Sequence, residues 1–324
     1  MKNLVKKIQS TAHQYALWQK NSKIILGVSG GPDSVCLLDI FAKIAKTYSL
    51  ELIIAHVNYG LRGHDSERDE KFARELAKKY EIEIEVLNLT PILSSKRRGS
   101  MPSENELRDI RYAFFEKVRQ ENKFDLIAVA HNLDDQAETF LMRVIRGAGL
   151  AGLSAMKFKN EKIIRPLLAT TRKEILEYLK KEKLEYRTDK TNATNLFLRN
   201  KIRNQLIPFL EKKFNPNIKQ TVFDAAANIA EDFSLLENIT AKTYKTTTTD
   251  GLSTKKLLAL HPALQRRVLL QAIREKKLNK KDIEMPHIEE ILKALNSTKG
   301  KNQIVVFKGL KMTRKGDKVT ISYN

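Results

Sequence analysis

Two rhythms of apolar and polar positions alternate along the first two thirds of the chain. Short apolar, β-branched runs at residues 24–28, 52–55, 82–89 and 124–130 read as strands. Each is followed by 3.6-residue periodicity, which predicts helices over about 32–48, 65–79 and 103–122, and another opening near His131. In the third of these, Leu107, Ile110, Phe114, Phe115 and Val118 form the inward stripe. Ahead of them Leu4, Ile8, Tyr15 and Trp18 mark a surface helix, and after them come a short strand at 162–164 and helices over about 171–182 and 199–213. Strands that alternate with helices imply an α/β fold with a doubly wound parallel sheet. Asn215-Pro216-Asn217 breaks the pattern, so the division falls there, into domains 1–215 and 216–324. The second is smaller and mostly helical (about 218–244, 262–276 and 286–295). It ends in alternating segments at 303–307 and 318–323 that predict a small β-sheet.

Polar clusters interrupt this pattern at three predicted strand ends. The first is Ser29-Gly30-Gly31-Pro32-Asp33-Ser34, the second His56 to Arg62, the third His131 to Glu138. Parallel sheets bind ligands outside the carboxyl ends of their strands, so the three are expected around one pocket. In the first, two glycines allow a sharp turn, and the following helix start offers free N–H groups to an anion. No lysine follows these glycines as in a Walker A loop, and the spacing of a dinucleotide fingerprint is missing. A plain glycine turn, with Asp33 and Ser34 capping a helix, is the structural alternative.

Asp134 and Glu138 stand one helical turn apart, with Asp135 three residues before Glu138. Such acids compensate a helix dipole, hold Mg²⁺ beside phosphates, or bind an ammonium group. Arg108, Arg111 and Tyr112 flank the core stripe of their helix, and Arg199 and Arg203 are again one turn apart. The first set is a solvated basic face or directs a guanidinium at charge developing on a phosphate or an activated carbonyl, and the second is a contact to phosphate or RNA.

Charge sharpens the picture. Lys plus Arg is 59 against 38 for Asp plus Glu, a net +21, which suits a polyanionic partner such as nucleic acid. The basic loop Lys96-Arg97-Arg98 is a candidate RNA contact. One cysteine, Cys36, excludes an internal disulfide and a multi-cysteine metal site. No apolar run approaches the roughly 18 residues of a membrane span, and no secretory signal is recognisable, so a cytoplasmic protein is expected.

The SGGPDS segment after a strand resembles the pyrophosphate loop (PP-loop) of the N-type ATP pyrophosphatases. HVNYGLR, AHNLDDQAET, RGAGLAGL and DKTN…RNKIR follow in order. Together they resemble the bacterial tRNA(Ile)-lysidine synthase family over about residues 24–208, and more weakly through Ala263-Leu264-Gln265-Arg266-Arg267. Tyr59 departs from the pattern, standing where many members carry histidine. The resemblance is to the compact form of the family, without a further C-terminal domain.

It implies a cytoplasmic ligase that uses ATP and Mg²⁺. The C2 carbonyl oxygen of the wobble cytidine in a tRNA(Ile) with a CAU anticodon would be adenylated, releasing pyrophosphate. The ε-amine of free lysine would then displace AMP. By the same resemblance Ser29, Gly30, Gly31, Pro32, Asp33, Ser34 and His56 bind the nucleotide, with Asp33 assisting Mg²⁺. Arg111, His131, Asp135, Glu138 and Arg203 surround the adenylate and lysine. Asn58, Arg62, Arg108, Asp134, Arg146 and Arg199 are further lysine or tRNA contacts, and a homodimer is an expected assembly. The alternatives are a PP-loop ligase acting on a small molecule and a non-catalytic tRNA-binding protein. Sulfur transfer is disfavoured, because Cys36 alone cannot supply the cysteines that thiolating relatives use.

Overall fold

The structure is a computed structural model that describes residues 3–60, 63–89, 103–188, 198–248, 251–276, 285–297, 302–307 and 309–323. Its first compact unit, Met1–Ala230, is built on β1 (Lys23–Gly27), where Ile24, Ile25 and Leu26 are wholly buried. Successive side chains of a strand point to opposite faces. Ile24, Leu26 and Val28 accordingly enter one core, with α1 (Leu4–Gln14), α2 (Pro32–Tyr48) and α3 (His64–Tyr80), while Ile25 enters a second core with Phe115 and Val118 of α4 (Glu104–Glu121). Helices thus cover both faces of the sheet, as the sequence pattern requires.

β1 pairs in parallel with β2 (Glu51–Asn58) on one side and with β4 (Leu126–Ala128) on the other. Beyond β2 lies β3 (Glu83–Asn88); beyond β4 lies β6 (Ile163–Ile164), which turns back antiparallel to the two-residue β5 (Lys159–Asn160). The order β3-β2-β1-β4-β6-β5 means that the chain winds outward from β1 in one direction and then returns to build in the other. The reversal falls between β1 and β4, and open α/β sheets form their ligand crevice at such a switch point. It lies where α2 and α5 (Leu133–Ile145) begin.

After α6 (Arg172–Lys181), a continuous helical stretch runs through Leu198–Lys201, a π-helical turn at Ile202–Leu206, and α7 (Ile207–Lys213). The long α8 (Ile218–Thr247) follows, and the second compact unit, Glu231–Asn324, begins inside it. The predicted division at 215/216 lies just ahead of that helix. The second unit packs α9 (Pro262–Lys276) and α10 (Met285–Leu295) on an antiparallel sheet of order β7-β10-β9-β8. Its strands are β7 (Leu252–Ser253), β8 (Asn302–Phe307), β9 (Leu310–Lys315) and β10 (Lys318–Tyr323). The sequence reading missed β9, whose three basic residues obscure the alternation of buried Leu310 and Met312. Tyr15, expected in the N-terminal surface helix, lies past the end of α1 and is exposed, stacked on Phe158.

Candidate active site

The candidate phosphate loop is the turn from β1 into α2. Gly30 sits at φ +84°, a region that side-chain-bearing residues rarely adopt, and an added Cβ there would lie 3.3 Å from the Phe72 ring. Its carbonyl accepts a hydrogen bond from the Arg187 amide at 2.9 Å, which pins the turn. The Ser34 hydroxyl accepts from the Ser29 amide at 3.2 Å and donates to the Gly31 carbonyl at 2.9 Å. Gly31 is the N-cap and brings no side-chain cap; Pro32, in the first turn, has no N–H to offer. The amides of Asp33 and Ser34 therefore face outward without a helical acceptor. This is the arrangement that binds anions at helix starts.

Asp33 is the hub between this loop and the next. Its Oδ1 accepts from Asn132 Nδ2 at 3.1 Å and its Oδ2 from Arg172 Nη1 at 2.9 Å. Burial pushes the Asp33 carboxyl above its ordinary range; Arg172 opposes the shift, and the nearby Asp135 charge adds to it. Asn132 in turn caps α5 in a reciprocal box. Its side chain accepts from the Asp135 amide at 3.0 Å, and Asp135 Oδ2 accepts from the Asn132 amide at 3.1 Å.

One turn on, Glu138 is 1% exposed and carries two arginines. Arg203 grips it with both forks, Nη2 to Oε2 at 2.8 Å and Nε to Oε1, and reaches Asp135 Oδ1 at 3.3 Å. Arg199 Nε reaches Oε2 at 3.2 Å. Burial pushes the Glu138 carboxyl above its usual value, against the pull of Arg203. The π turn at Ile202–Leu206 begins between these two arginines, and such turns cluster at functional sites. Asp134 is not part of this group. Its carboxylate takes the Arg172 amide at 2.9 Å and Lys219 Nζ at 2.8 Å, so the acids that share a cation here are Asp135 and Glu138.

A cavity of about 190 Å³ opens beside the loop, walled by Val28, Ala55, Val57, Phe115, Val129 and Ala130 and rimmed by Ser29, Asp33, Tyr59, Arg111 and His131. Gly27 makes room for the wall, since a Cβ there would lie 2.9 Å from Phe115. A cavity with an apolar wall and a polar rim suits a nucleobase and its sugar. His56 is buried, with Nδ1 2.8 Å from the Val28 carbonyl. Burial lowers its pKa, so the imidazole is neutral: Nδ1–H donates to Val28, and the buried Nε2 keeps a lone pair without a partner. Burial pushes His131 well below its ordinary value, and the charges of Arg165, Arg108, Arg111 and Arg199 push the same way.

Both histidines bind fewer protons folded than unfolded once the pH falls below the ordinary 6.5. The native state therefore loses stability as the pH drops through that value toward the depressed folded pKa values. Between pH 7 and 5.5 the unfolding free energy of a His131→Gln variant is expected to fall less steeply than the wild type's. The slope difference reaches at most about 1.4 kcal/mol per pH unit. Parallel slopes in urea titrations would contradict this.

Other predicted positions lie apart. Asn58 donates to Glu70 at 2.9 Å and accepts from the Gly60 amide at 2.9 Å, so it shapes the turn after β2. Tyr59, by contrast, stands on the cavity rim and donates its hydroxyl to the Leu107 carbonyl at 3.4 Å. Arg146 caps the end of α5 and is exposed. Arg62, Lys96-Arg97-Arg98 and Asp189-Lys190-Thr191-Asn192 lie outside the described residues. Two arginines went unnoticed in the sequence. Arg172, on Asp33, has no local signal; Arg165, at the end of β6, carries one in the adjoining Pro166. Among the described residues no cluster of three or more metal-ligating side chains occurs. A site completed by phosphates needs only one or two carboxylates, and Asp33, on the cavity rim, is the candidate for one. Among the described residues no helix is long and apolar enough to cross a membrane.

A mostly parallel sheet with a helix-start anion cradle at its switch point, flanked by a partly apolar cavity and paired acids, defines a PP-loop nucleotide-binding protein. The family model of the PP-loop domain matches residues 2–210, and that of the TilS substrate binding domain matches 252–318. The U34-tRNA thiolase NcsA of Methanococcus maripaludis shares the fold, with a TM-score of 0.59 at 24% identity over 70% of this chain and 78% of its own. The tRNA(Ile)-lysidine synthase of Clostridium tetani is 36% identical over 91% of the chain, and that of Clostridioides difficile 32% identical over 98%. The Bacillus subtilis protein of that name is 33% identical over 81%. The chain belongs to the tRNA(Ile)-lysidine synthase family. It spans 64%, 70% and 57% of the lengths of these three relatives.

Proposed function

We propose that this chain converts the wobble cytidine of a CAU-anticodon tRNA(Ile) to lysidine, using ATP and free L-lysine and releasing AMP and pyrophosphate. The observation that carries the reading is the meeting of three parts at the switch point. They are the outward amides of Asp33 and Ser34, the apolar slot beside them, and the Asp135–Glu138–Arg203 cluster. Each fits one reactant: triphosphate, nucleoside and the cationic amino acid.

In this reading the loop from Ser29 to Ser34 holds the phosphates, with His56 below the nucleotide. Asp33 is the residue that would hold Mg²⁺, which when bound neutralises phosphate charge. Cytosine C2 is a poor electrophile until its oxygen becomes a leaving group, so positioning two reactants and stabilising charge are the main demands on the site. Arg111, at the rim, faces charge that develops on the phosphoryl oxygen, and the neutral His131 beside it donates or accepts a hydrogen bond without adding charge. Glu138, buried and paired with Arg199 and Arg203, fixes these side chains beside Asp135, against whose carboxylate the substrate ammonium lies. Asp135 takes the proton that the attacking amine loses. The second compact unit, matched by a substrate-binding domain, contacts the tRNA. Cys36 is buried in α2 with its thiol pushed above the ordinary range, which is unsuited to sulfur transfer.

The deciding experiment is incubation with ATP, radiolabelled lysine and a tRNA(Ile) transcript, with the label sought in the anticodon. ATP–pyrophosphate exchange that needs no RNA would favour a small-molecule ligase instead. Asp135→Asn is expected to lower turnover about 100-fold or more, as loss of a general base does, while ATP affinity stays within about twofold. Unchanged turnover would remove Asp135 from the proton-transfer role.

A further inference from the structure

Phe209 and Phe214 are 53% and 71% exposed, more than any other aromatic residue among the described residues. Apolar side chains scattered singly over a surface need no explanation, but these two adjoin. Their ring centres are 5.5 Å apart, edge against face at an interplanar angle of 62°. Such a pair covers only one of its four ring faces, so flat aromatic surface stays open to a ligand. The cause lies in how α7 is seated. Ile202 and Ile207 are buried in a core with Ala137 of α5 and Val222 of α8. Phe209, two residues past Ile207, lies on nearly the opposite side of the helix. Lys212 and Lys213, at i+3 and i+4 from Phe209, share its exposed face, and Phe214 follows as the C-cap.

The charge on this face has one sign. Glu211, the only acid of α7, is taken by Lys219, whose Nζ is 3.1 Å from its carboxylate and 2.8 Å from that of Asp134. Lys212 and Lys213 have no ion-pair partner among the described residues. The Lys219 bridge also ties α7 to the first turn of α5, where Asp135 stands. Along the helical stretch Phe209 is six residues beyond Arg203, a rise of roughly 9 Å. The open rings therefore lie near the acidic cluster and outside it. A second copy of the chain fits this face poorly, since a twofold contact would set its lysines against their own kind. Unpaired RNA fits it well: each base offers a π face to an aromatic ring, and the phosphates beside it meet the lysines.

We propose that Phe209 and Phe214, with Lys212 and Lys213, form a stacking platform for an unpaired RNA base close to the nucleotide that reacts. This rests on the functional reading above and deepens it. The tRNA is held by a splayed-out base of its loop as well as by the nucleotide that is modified.

The test uses the full chain carrying Phe209→Ala, Phe214→Ala, Phe214→Trp, or Lys212→Gln together with Lys213→Gln. Fluorescence of the buried Trp18 checks folding in the variants that add no tryptophan. Affinity for an unmodified tRNA(Ile) transcript, and for a blunt RNA duplex, is measured at several salt concentrations. Each alanine variant is expected to bind the transcript about tenfold more weakly with the salt slope unchanged, as loss of one stacked base does. Its binding to the duplex equals that of wild type, because paired bases hide their faces. The glutamine variant loses about 0.7 from the salt slope for each lysine removed. The indole added by Phe214→Trp is quenched when the transcript binds and not when the duplex does. Alanine variants that bind the transcript as wild type does would overturn the platform, as would equal losses on transcript and duplex. A wild-type dimer that both alanine substitutions dissociate would overturn it too, and would assign the rings to a second copy. Wild-type protein that binds the transcript through these rings but forms no lysidine would leave the platform standing and bring down the catalytic reading instead.

Discussion

Glu138→Ala is expected to lower the unfolding free energy of the first compact unit by about 3 kcal/mol, at the lower end of the cost of breaking a buried ion pair. The physical reason is asymmetry. Glu138 is 1% exposed and receives three nitrogens from Arg199 and Arg203, whose side chains are 21% and 33% exposed. Deleting the carboxylate leaves two guanidinium groups facing each other with only partial access to water, which keeps the loss from being larger. Glu138→Gln retains a hydrogen-bond acceptor and costs less, about 1–2 kcal/mol. Trp18, the sole tryptophan, is buried in this unit, so its fluorescence in urea reports the transition without interference from the second unit. An alanine variant within about 0.5 kcal/mol of wild type would mean that the arginines find other partners and that the cluster is not built around Glu138.

The same cluster shows where sequence reasoning succeeds. Ser29 to Ser34 announces itself locally, because a glycine turn between an apolar run and a helix start has few other uses. Its position at a sheet edge follows from strand–helix alternation alone. The order β3-β2-β1-β4-β6-β5 is a different matter. It depends on which parallel neighbours meet across long connections, and no local pattern encodes that. The acids illustrate a subtler limit. Helical spacing makes Asp134 and Glu138 neighbours, yet the capping box formed with Asn132 commits Asp135 to the loop, and Lys219, more than eighty residues away, takes Asp134. The Asn132-x-x-Asp135 spacing was a readable signal for the box; the lysine was not. Arg172 and Arg165 reach the site only because α6 begins and β6 ends there.

Gly30→Val is expected to abolish most ATP-dependent turnover, by about 100-fold or more, the scale seen when one backbone donor to a developing anion is lost. Two independent effects converge at this residue. Its φ of +84° is hostile to any side chain and most of all to a β-branched one, so the turn must open. An added Cβ would also meet Phe72 at 3.3 Å and Arg187 at 3.7 Å, so a valine presses on the strap whose Arg187 amide holds the Gly30 carbonyl. Relief of either strain displaces the Asp33 and Ser34 amides from the line of the phosphates. Overall stability suffers far less, because the loop contributes little to the cores on either side of β1. Gly31→Ala separates the two effects. Gly31 has an ordinary extended backbone and room for a Cβ, 3.5 Å from the Ser29 hydroxyl, and is expected to keep turnover within about tenfold. Radiolabelled AMP release compared across both variants checks this. Equal losses at the two glycines would show that bulk near the phosphates, rather than the left-handed turn at Gly30, is what the loop cannot tolerate.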